Sequence, residues 1–563
     1  MAASLRALRA LLLLSGFYLL GVGMLALLVG VDIAIVWAFI EGGHAVFLLV
    51  KLLLVSLAAT LPILEGMFAF RRPKKDDGPA GVRVTRQEQP ELWAEIEESA
   101  RLSGTRPPQV VVLTGVVNAA VSERAHLLGL IRGRRSLYLG VPLLSGLTLP
   151  RLRAVLAHEF GHYGNHDTRL AGITMRGRES VLRTADAFRE GAQEGSRTQA
   201  LIGNIYVRYT RMYLRVSQSV SRGQELAADR DAVRVAGRDT TAAALREVRV
   251  LDSTFLHYVS EYATLGWKAS LLPPAGEFYG GFGRLLAEPG RAEELAALRA
   301  ELPEEELSPY DSHPPLTDRI RLIAALPADD RPDDPDAPPA LSLLRDRVTV
   351  LAALEGATLA APSTPGAERR HLDSWGELAH TVARTALIQT ALPLQRAAAD
   401  AGFGTAGRPA NLTGVLAAID AGQLWTSVAA HLPKSEQAAR ATGRAAREFL
   451  RPSLRSALTA LTHLGLADTG RAHWEVDWSG PGAVSFVLPE VANLPDGYAV
   501  ALAAALDAAV ADRPNTGPLR ELLAATPAPA PQTAAQATAR PAHTADPAPV
   551  PDQAAAEALA GEK

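Results

Sequence analysis

"RLRAVLAHEFGHYGNHD", residues 151–167, places His158, Glu159, His162 and His166 in one short segment of a chain with only 13 histidines among 563 residues. Thr148 and Pro150 make a good helix start, and Leu152, Val155, Leu156 and Tyr163 supply the apolar pattern of the helix they introduce. In that helix His158 and His162 are four residues apart. Both imidazoles therefore share one face and can hold one zinc at about 2.1 Å each, with Glu159 beside them where a reactive water would sit. The alternative is an ordinary polar stripe. A third ligand decides between the two, because a catalytic zinc takes three protein ligands and keeps one position open.

Two residues are candidates for that ligand. His166 lies a further turn along, beyond easy reach of the metal on a continuing helix. The pattern in which a third His binds is HExxHxxGxxH, and here Gly164 and His166 fall at other positions. Glu225 opens "ELAAD" within "SRGQELAADRDA" (221–232), a helical segment able to lie across the first and present its carboxylate. Asp229, one turn later, can accept a hydrogen bond from the outer nitrogen of a ligating His and so fix its tautomer. In isolation Glu225, Asp229, Arg230 and Asp231 would read as a solvated charged face; beside an HExxH helix the ligand reading is favoured.

Working outward, Ala10–Val31 carries no charge and is long enough to cross a bilayer at about 1.5 Å per residue. A second apolar stretch, about Ala45–Phe70, favours a retained hairpin over a cleaved signal, with Lys51 inside it and Asp32, Glu41 and His44 in the connection. Arg6 and Arg9 precede the first span, while Arg71, Arg72, Lys74 and Lys75 follow the second. The positive-inside rule therefore puts both ends, and everything after Pro73, in the cytoplasm. "VVVLTGVVNAAVSE" and "RRSLYLGVPLL" carry strand patterns ahead of the HEFGH helix, and "QPELWAEIEESARLSG" reads as an amphipathic helix. Leu201–Val220 is a further amphipathic helix, expected to pack on the domain core rather than span or lie on a membrane.

With no cysteine, the chain has no disulfide, no thiol nucleophile and no thiolate ligand, so a metal must be held by His, Asp or Glu. A formal charge of -3 with dispersed Lys and Arg gives no footprint for nucleic acid. Abundant Ala, Gly, Pro and Arg with scarce Lys suggest a GC-rich bacterial genome.

"LAHEFGHYGNHD", "SRGQELAADRDA" and "SHPPLTDRI" (312–320), in that order, resemble the integral-membrane zinc metallopeptidases that include the bacterial heat-shock membrane protease HtpX and the CAAX prenyl proteases. The resemblance runs from about Val82 to Leu326. It implies one Zn2+ per chain, bound by His158, His162 and Glu225, with Glu159 as general base and Asp229 supporting a ligand. His313 matches a histidine that approaches the active site as an oxyanion donor or metal gate. Arg319 matches the arginine that follows, a further candidate donor. Asn118 and Ala119 match a strand that pairs with extended substrate. Two further spans that the heat-shock type places between HExxH and the Glu ligand are not visible, and the Ala-rich region after residue 340 matches no part of the family.

The fold expected is therefore mainly α. It comprises a transmembrane helical hairpin (1–75), an α+β zincin-like metallopeptidase domain with a small sheet (76–326), a linker (327–340), an Ala-rich helical domain with a hairpin near 473–489 (341–525) and a disordered Ala/Pro-rich tail (526–563). The function expected is a multi-pass zinc endopeptidase of a bacterial cell membrane, its catalytic domain cytoplasmic. Polypeptide substrate and membrane lipid are its partners, and membrane-protein quality control its setting. Two alternatives stay open: a membrane-anchored scaffold or binding module with a zinc site but little turnover, and a zinc exopeptidase acting on small peptides.

Overall fold

A computed structural model describes residues 2–42, 46–68, 78–123, 133–164, 168–193, 197–301, 314–359, 368–404, 408–480, 482–488 and 497–526. By its contacts the chain divides into one unit of Met1–Ala379 with Val476–Ala483 and a second of His380–Glu475 with Val484–Lys563.

The first unit begins with two apolar helices, α1 (Ala2–Gly42) and α2 (Val46–Phe68). Leu12–Glu41 is long and apolar enough to cross a membrane, and among the described residues it is the one segment that is. The helix does not stop at Val31: α1 is unbroken to Gly42, so Asp32 and Glu41 lie within it. Ser56 of α2 donates its hydroxyl to Asp32 Oδ2 at 2.8 Å, while Oδ1 is buried without a partner among the described residues. His44, Arg71, Arg72, Lys74 and Lys75 lie outside the described residues.

Helices α6 (Thr168–Gln193) and α7 (Arg197–Ala236) pack on this pair. Leu14, Phe17, Ala59, Ile63, Val181, Phe188, Ile202, Tyr206 and Tyr213 form their shared core. The buried side chains Ile202, Tyr206 and Tyr213 of the amphipathic stretch 201–220 therefore pack with the N-terminal helices, and not on the core around the sheet that follows, where the stretch was expected to pack. Its apolar stripe is aromatic, and the aromatic rings are met by α1. Phe17 meets Tyr206 edge-on with centroids 6.1 Å apart, and the Tyr209 hydroxyl donates to the Leu13 carbonyl. The two helices thus stand, in chain order, where the resemblance calls for two more spans, but Arg183, Asp186, Arg189, Arg208, Arg211 and Arg215 make them too polar to read as such.

Between these helices the chain builds a four-stranded sheet from β1 (Gly81–Val84), β2 (Val110–Thr114), β3 (Ala119–Glu123) and β4 (Arg135–Gly140), in the order β1-β2-β4-β3. β2 and β4 are parallel, and the outer pairs are antiparallel. The continuous apolar run of β2 suits a central strand; β1, "GVRV", is too short to be read from sequence. Helix α3 (Pro90–Leu102) covers the sheet with Leu92, Trp93, Ile96 and Ala100, all buried. α4 (Val141–Gly146) and α5 (Leu149–Gly164) follow β4, and α8 (Arg238–Tyr258) follows α7.

Residues 327–340 are not a free linker. Pro339 bridges Thr148, and the Ala340 amide donates to the Leu147 carbonyl at 2.8 Å. Asp333 pairs with Arg151 of α5 at 2.6 Å. Density of Pro and Asp signals a linker only while the acids have no partner, and Arg151 supplies one. The contact-defined boundary accordingly falls between Ala379 and His380, not at 340/341.

The second unit is helical, with Leu394, Val415, Ile419, Leu454, Leu458, Leu502, Leu506 and Leu519 in its core and alanines at many of the close helix contacts. Strands His473–Val476 and Val484–Val487 pair as a small sheet. Of the tail read from sequence as disordered, 526–563, Thr526 is buried and hydrogen-bonded to Tyr498, while 527–563 lie outside the described residues, as do 489–496.

Candidate metal centre

Helix α5 has two working faces. Leu152, Leu156 and Phe160 are fully buried in the core beneath the sheet. The other side meets α7, where Gly161 decides how near the helices come: a Cβ at this position would lie 3.1 Å from the Cα of Ala228. A glycine facing an alanine brings the backbones close, and so brings together the side chains one turn on either side. The "G" of HEFGH and the second "A" of ELAAD are thus packing residues.

Across this contact His158 Nε2 lies 3.4 Å from Glu225 Oε2, and His162 Nε2 lies 3.8 Å from Glu225 Oε1. The two imidazoles stand at 85° with centroids 4.9 Å apart. The three donor atoms all fall within 4.8 Å of one another. Ligands held about 2.1 Å from a tetrahedral ion are about 3.4 Å apart, so the group fits a metal with little movement. Two imidazoles and a carboxylate form a nitrogen and oxygen set suited to a divalent ion of the zinc kind.

Behind the ligands runs a chain of charge. His158 Nδ1 lies 3.0 Å from Asp229 Oδ1. Arg319, in the helix Leu316–Ala324, donates to both oxygens of Asp229, at 2.9 and 2.6 Å. Its remaining terminal nitrogen lies 3.8 Å from Glu225 Oε2. Burial favours a neutral Asp229, but the Arg319 and His158 hydrogen bonds outweigh it and hold the carboxyl below its usual range. Arg319 is thus committed to Asp229 through a planar two-point pair.

Burial lowers the His158 imidazole, yet hydrogen bonds to Asp229 and Glu225 more than reverse this and raise it to about 9. Burial raises Glu159 to about 7; the nearby His158 charge opposes the rise and Glu225 adds to it. Part of the Glu159 surface stays open, while its carboxyl sits deep against β3, where the Val121 backbone N–H hydrogen-bonds to it.

These settings give a test. A metal binds only neutral imidazole, so below about pH 9 binding must displace the proton that His158 holds. Affinity is expected to rise about tenfold per pH unit between about pH 6 and pH 8, with proton release visible as a buffer-dependent heat in titration calorimetry. A flat affinity over that range would contradict the assignment of His158.

β3 is an edge strand lying along α5. Ala119 opens it and is buried; Asn118, just before, is exposed, and its carbonyl accepts from Gly140 N–H at 2.8 Å. Gly140 has no room for a side chain, since a Cβ would lie 1.9 Å from the Val116 carbonyl. Tyr163, read from sequence only as part of the apolar pattern, ties α5 to this strand. Its hydroxyl donates to the Val121 carbonyl at 2.5 Å and its ring lies under Arg135. No motif announces Tyr163 beyond its place next to HEFGH. His158, Glu159, His162, Glu225, Asp229 and Arg319 are brought together; Asn118 and Ala119 lie at the start of the adjacent strand. His166 and His313 lie outside the described residues.

A HExxH helix crossed by a glutamate-bearing helix defines the class of metal-dependent hydrolases. Residues 86–326 match the sequence model of peptidase family M48. That segment belongs to the family, which contains HtpX and the CAAX prenyl proteases, and the membership implies a metallopeptidase. No curated protein and no solved structure matches the chain.

Proposed function

We propose that the protein is a membrane-anchored zinc endopeptidase with one zinc per chain, acting on polypeptides in membrane-protein quality control. The observation that carries the reading is the convergence of His158, His162 and Glu225 with Glu159 beside them. Residues 1–75 form a membrane hairpin on this reading, with both ends cytoplasmic by their basic flanks, and 76–326 form the catalytic domain.

When bound, zinc supplies a Lewis acid that acidifies water and polarises a carbonyl. Glu159 takes the proton of the attacking water and hands it to the leaving amine; a carboxyl poised near neutrality suits both transfers. Asp229 fixes His158 with Nδ1 protonated, leaving Nε2 for the metal. Substrate pairs through its backbone with the start of β3, at Asn118 and Ala119, ahead of Val121, whose own backbone groups are taken by Glu159 and Tyr163. Pairing of this kind requires no chain end, which favours internal cleavage. His313 supplies a donor for the developing oxyanion.

The test is to purify the full-length protein in mild detergent, measure zinc per chain, and map the new termini made in an unfolded protein. Internal cuts that stop with a chelator and return with zinc are expected. Trimming confined to chain ends would replace the reading with an exopeptidase, and zinc without any cleavage would replace it with a scaffold.

A further inference from the structure

Helix α7 turns one face to the N-terminal helices and leaves the other open. Ile202, Tyr206, Thr210 and Tyr213 are buried. Opposite them Leu201 is 70%, Ile205 43% and Met212 44% exposed, in one stripe with Arg208, Arg211 and Arg215. Arg208, Arg211 and Arg215 with Met212 and Val216 line a shallow open depression. Among the described residues none of these three arginines has an acidic partner. Arg189 and Arg234, by contrast, pair with Asp186 and Asp231 on their own helices.

The level of this stripe along α1 gives its meaning. Tyr209 bonds to Leu13 while Tyr206 meets Phe17, so α7 runs antiparallel to α1. Arg208 and Arg211 therefore stand level with Leu11–Leu14, in the first turns of the uncharged run that opens after Arg9. Leu201 and Ile205 lie inward along that run, and Arg215 lies outward. Apolar side chains on the inner side and arginines on the outer side match the change from acyl chain to headgroup.

We infer that Arg208, Arg211 and Arg215 form a binding site for the headgroups of anionic phospholipids, a reading that rests on α1 crossing a bilayer. Three unpaired guanidiniums provide the charge complement, and their planar donors suit phosphate oxygens. The same unbroken helix carries Glu225 and Asp229. A headgroup held at Arg215 thus fixes the height of the helix that delivers a metal ligand.

The test is native mass spectrometry of the full-length protein in detergent with phosphatidylglycerol or phosphatidylcholine of matched chains. It reads lipid retention and is independent of peptidase activity. Wild type is expected to retain the anionic lipid on the order of tenfold better. Arg208→Gln, Arg211→Gln and Arg215→Gln should each lose part of that preference and together all of it, with zinc content and melting temperature unchanged. The triple Lys variant, which keeps the charge, should retain most of it. Equal retention of the two lipids by wild type overturns the site. So does a preference that survives the triple Gln exchange, which would assign the headgroup to other basic residues. Displacement of the lipid by millimolar inorganic phosphate would identify a site for free oxyanions instead.

Discussion

Glu159→Gln is expected to keep the metal at wild-type content and to lose hydrolysis by about 10²–10⁴-fold. The amide has the shape of the carboxylate and sits beside, not among, the three converging donor atoms, so His158, His162 and Glu225 are undisturbed. What it lacks is basicity. It also relieves a cost, because a carboxyl that burial raises to about 7 is one the fold would sooner keep neutral. The variant should therefore melt no lower than wild type, which separates a chemical defect from a folding one. In wild type the rate should fall with falling pH as Glu159 takes up a proton. A divalent cation nearby draws its pKa downward, so this acid limb belongs below about pH 7. Full activity in Glu159→Gln would remove the general base from the mechanism; loss of activity together with loss of zinc would make Glu159 a structural support instead.

How far the site was legible depends on the kind of signal each residue leaves. His158, Glu159 and His162 are fixed by helical periodicity alone, since four residues make about one turn. Glu225 and Asp229 have the same mutual spacing, but that they face α5 is a fact of packing, set by Gly161 against Ala228, and no local pattern states it. Arg319 and Tyr163 were harder still. One gains its role from a carboxylate 90 positions away and the other from a backbone carbonyl of an edge strand. The fold shows the same division. α1 was evident from hydropathy, yet the helix runs on past Asp32, a residue that looks like a terminator until Ser56 is seen to bond one of its oxygens. α7 was recognised as amphipathic, but an apolar stripe does not name the surface it covers, and its tyrosines find α1 instead of the sheet core.

Arg319→Leu is expected to destabilise the protein by about 3–5 kcal/mol and to weaken zinc binding by about 10- to 100-fold. Asp229 has a side chain only 4% exposed and Arg319 one only 12% exposed, so neither charge is relieved by solvent when the other is removed. Leucine would leave Asp229 with His158 as its remaining charged partner, and the imidazole would then be drawn toward the protonated state that cannot bind metal. The cost therefore comes from stranding a charge rather than from losing an attraction. It follows that Asp229→Asn combined with Arg319→Leu should be less harmful to stability than Arg319→Leu alone, because the stranded carboxylate is gone. Lysine at 319 should recover part of the stability but less of the zinc affinity, since one ammonium cannot hold both Asp229 oxygens in the plane that aims Oδ1 at His158. The same variants decide between two jobs for this arginine. If it served chiefly to stabilise the oxyanion of the reaction, Arg319→Leu would lower kcat while zinc affinity and melting temperature stayed near wild type. If it is the clamp that the two-point pair describes, zinc affinity falls first, and saturating zinc restores much of the rate.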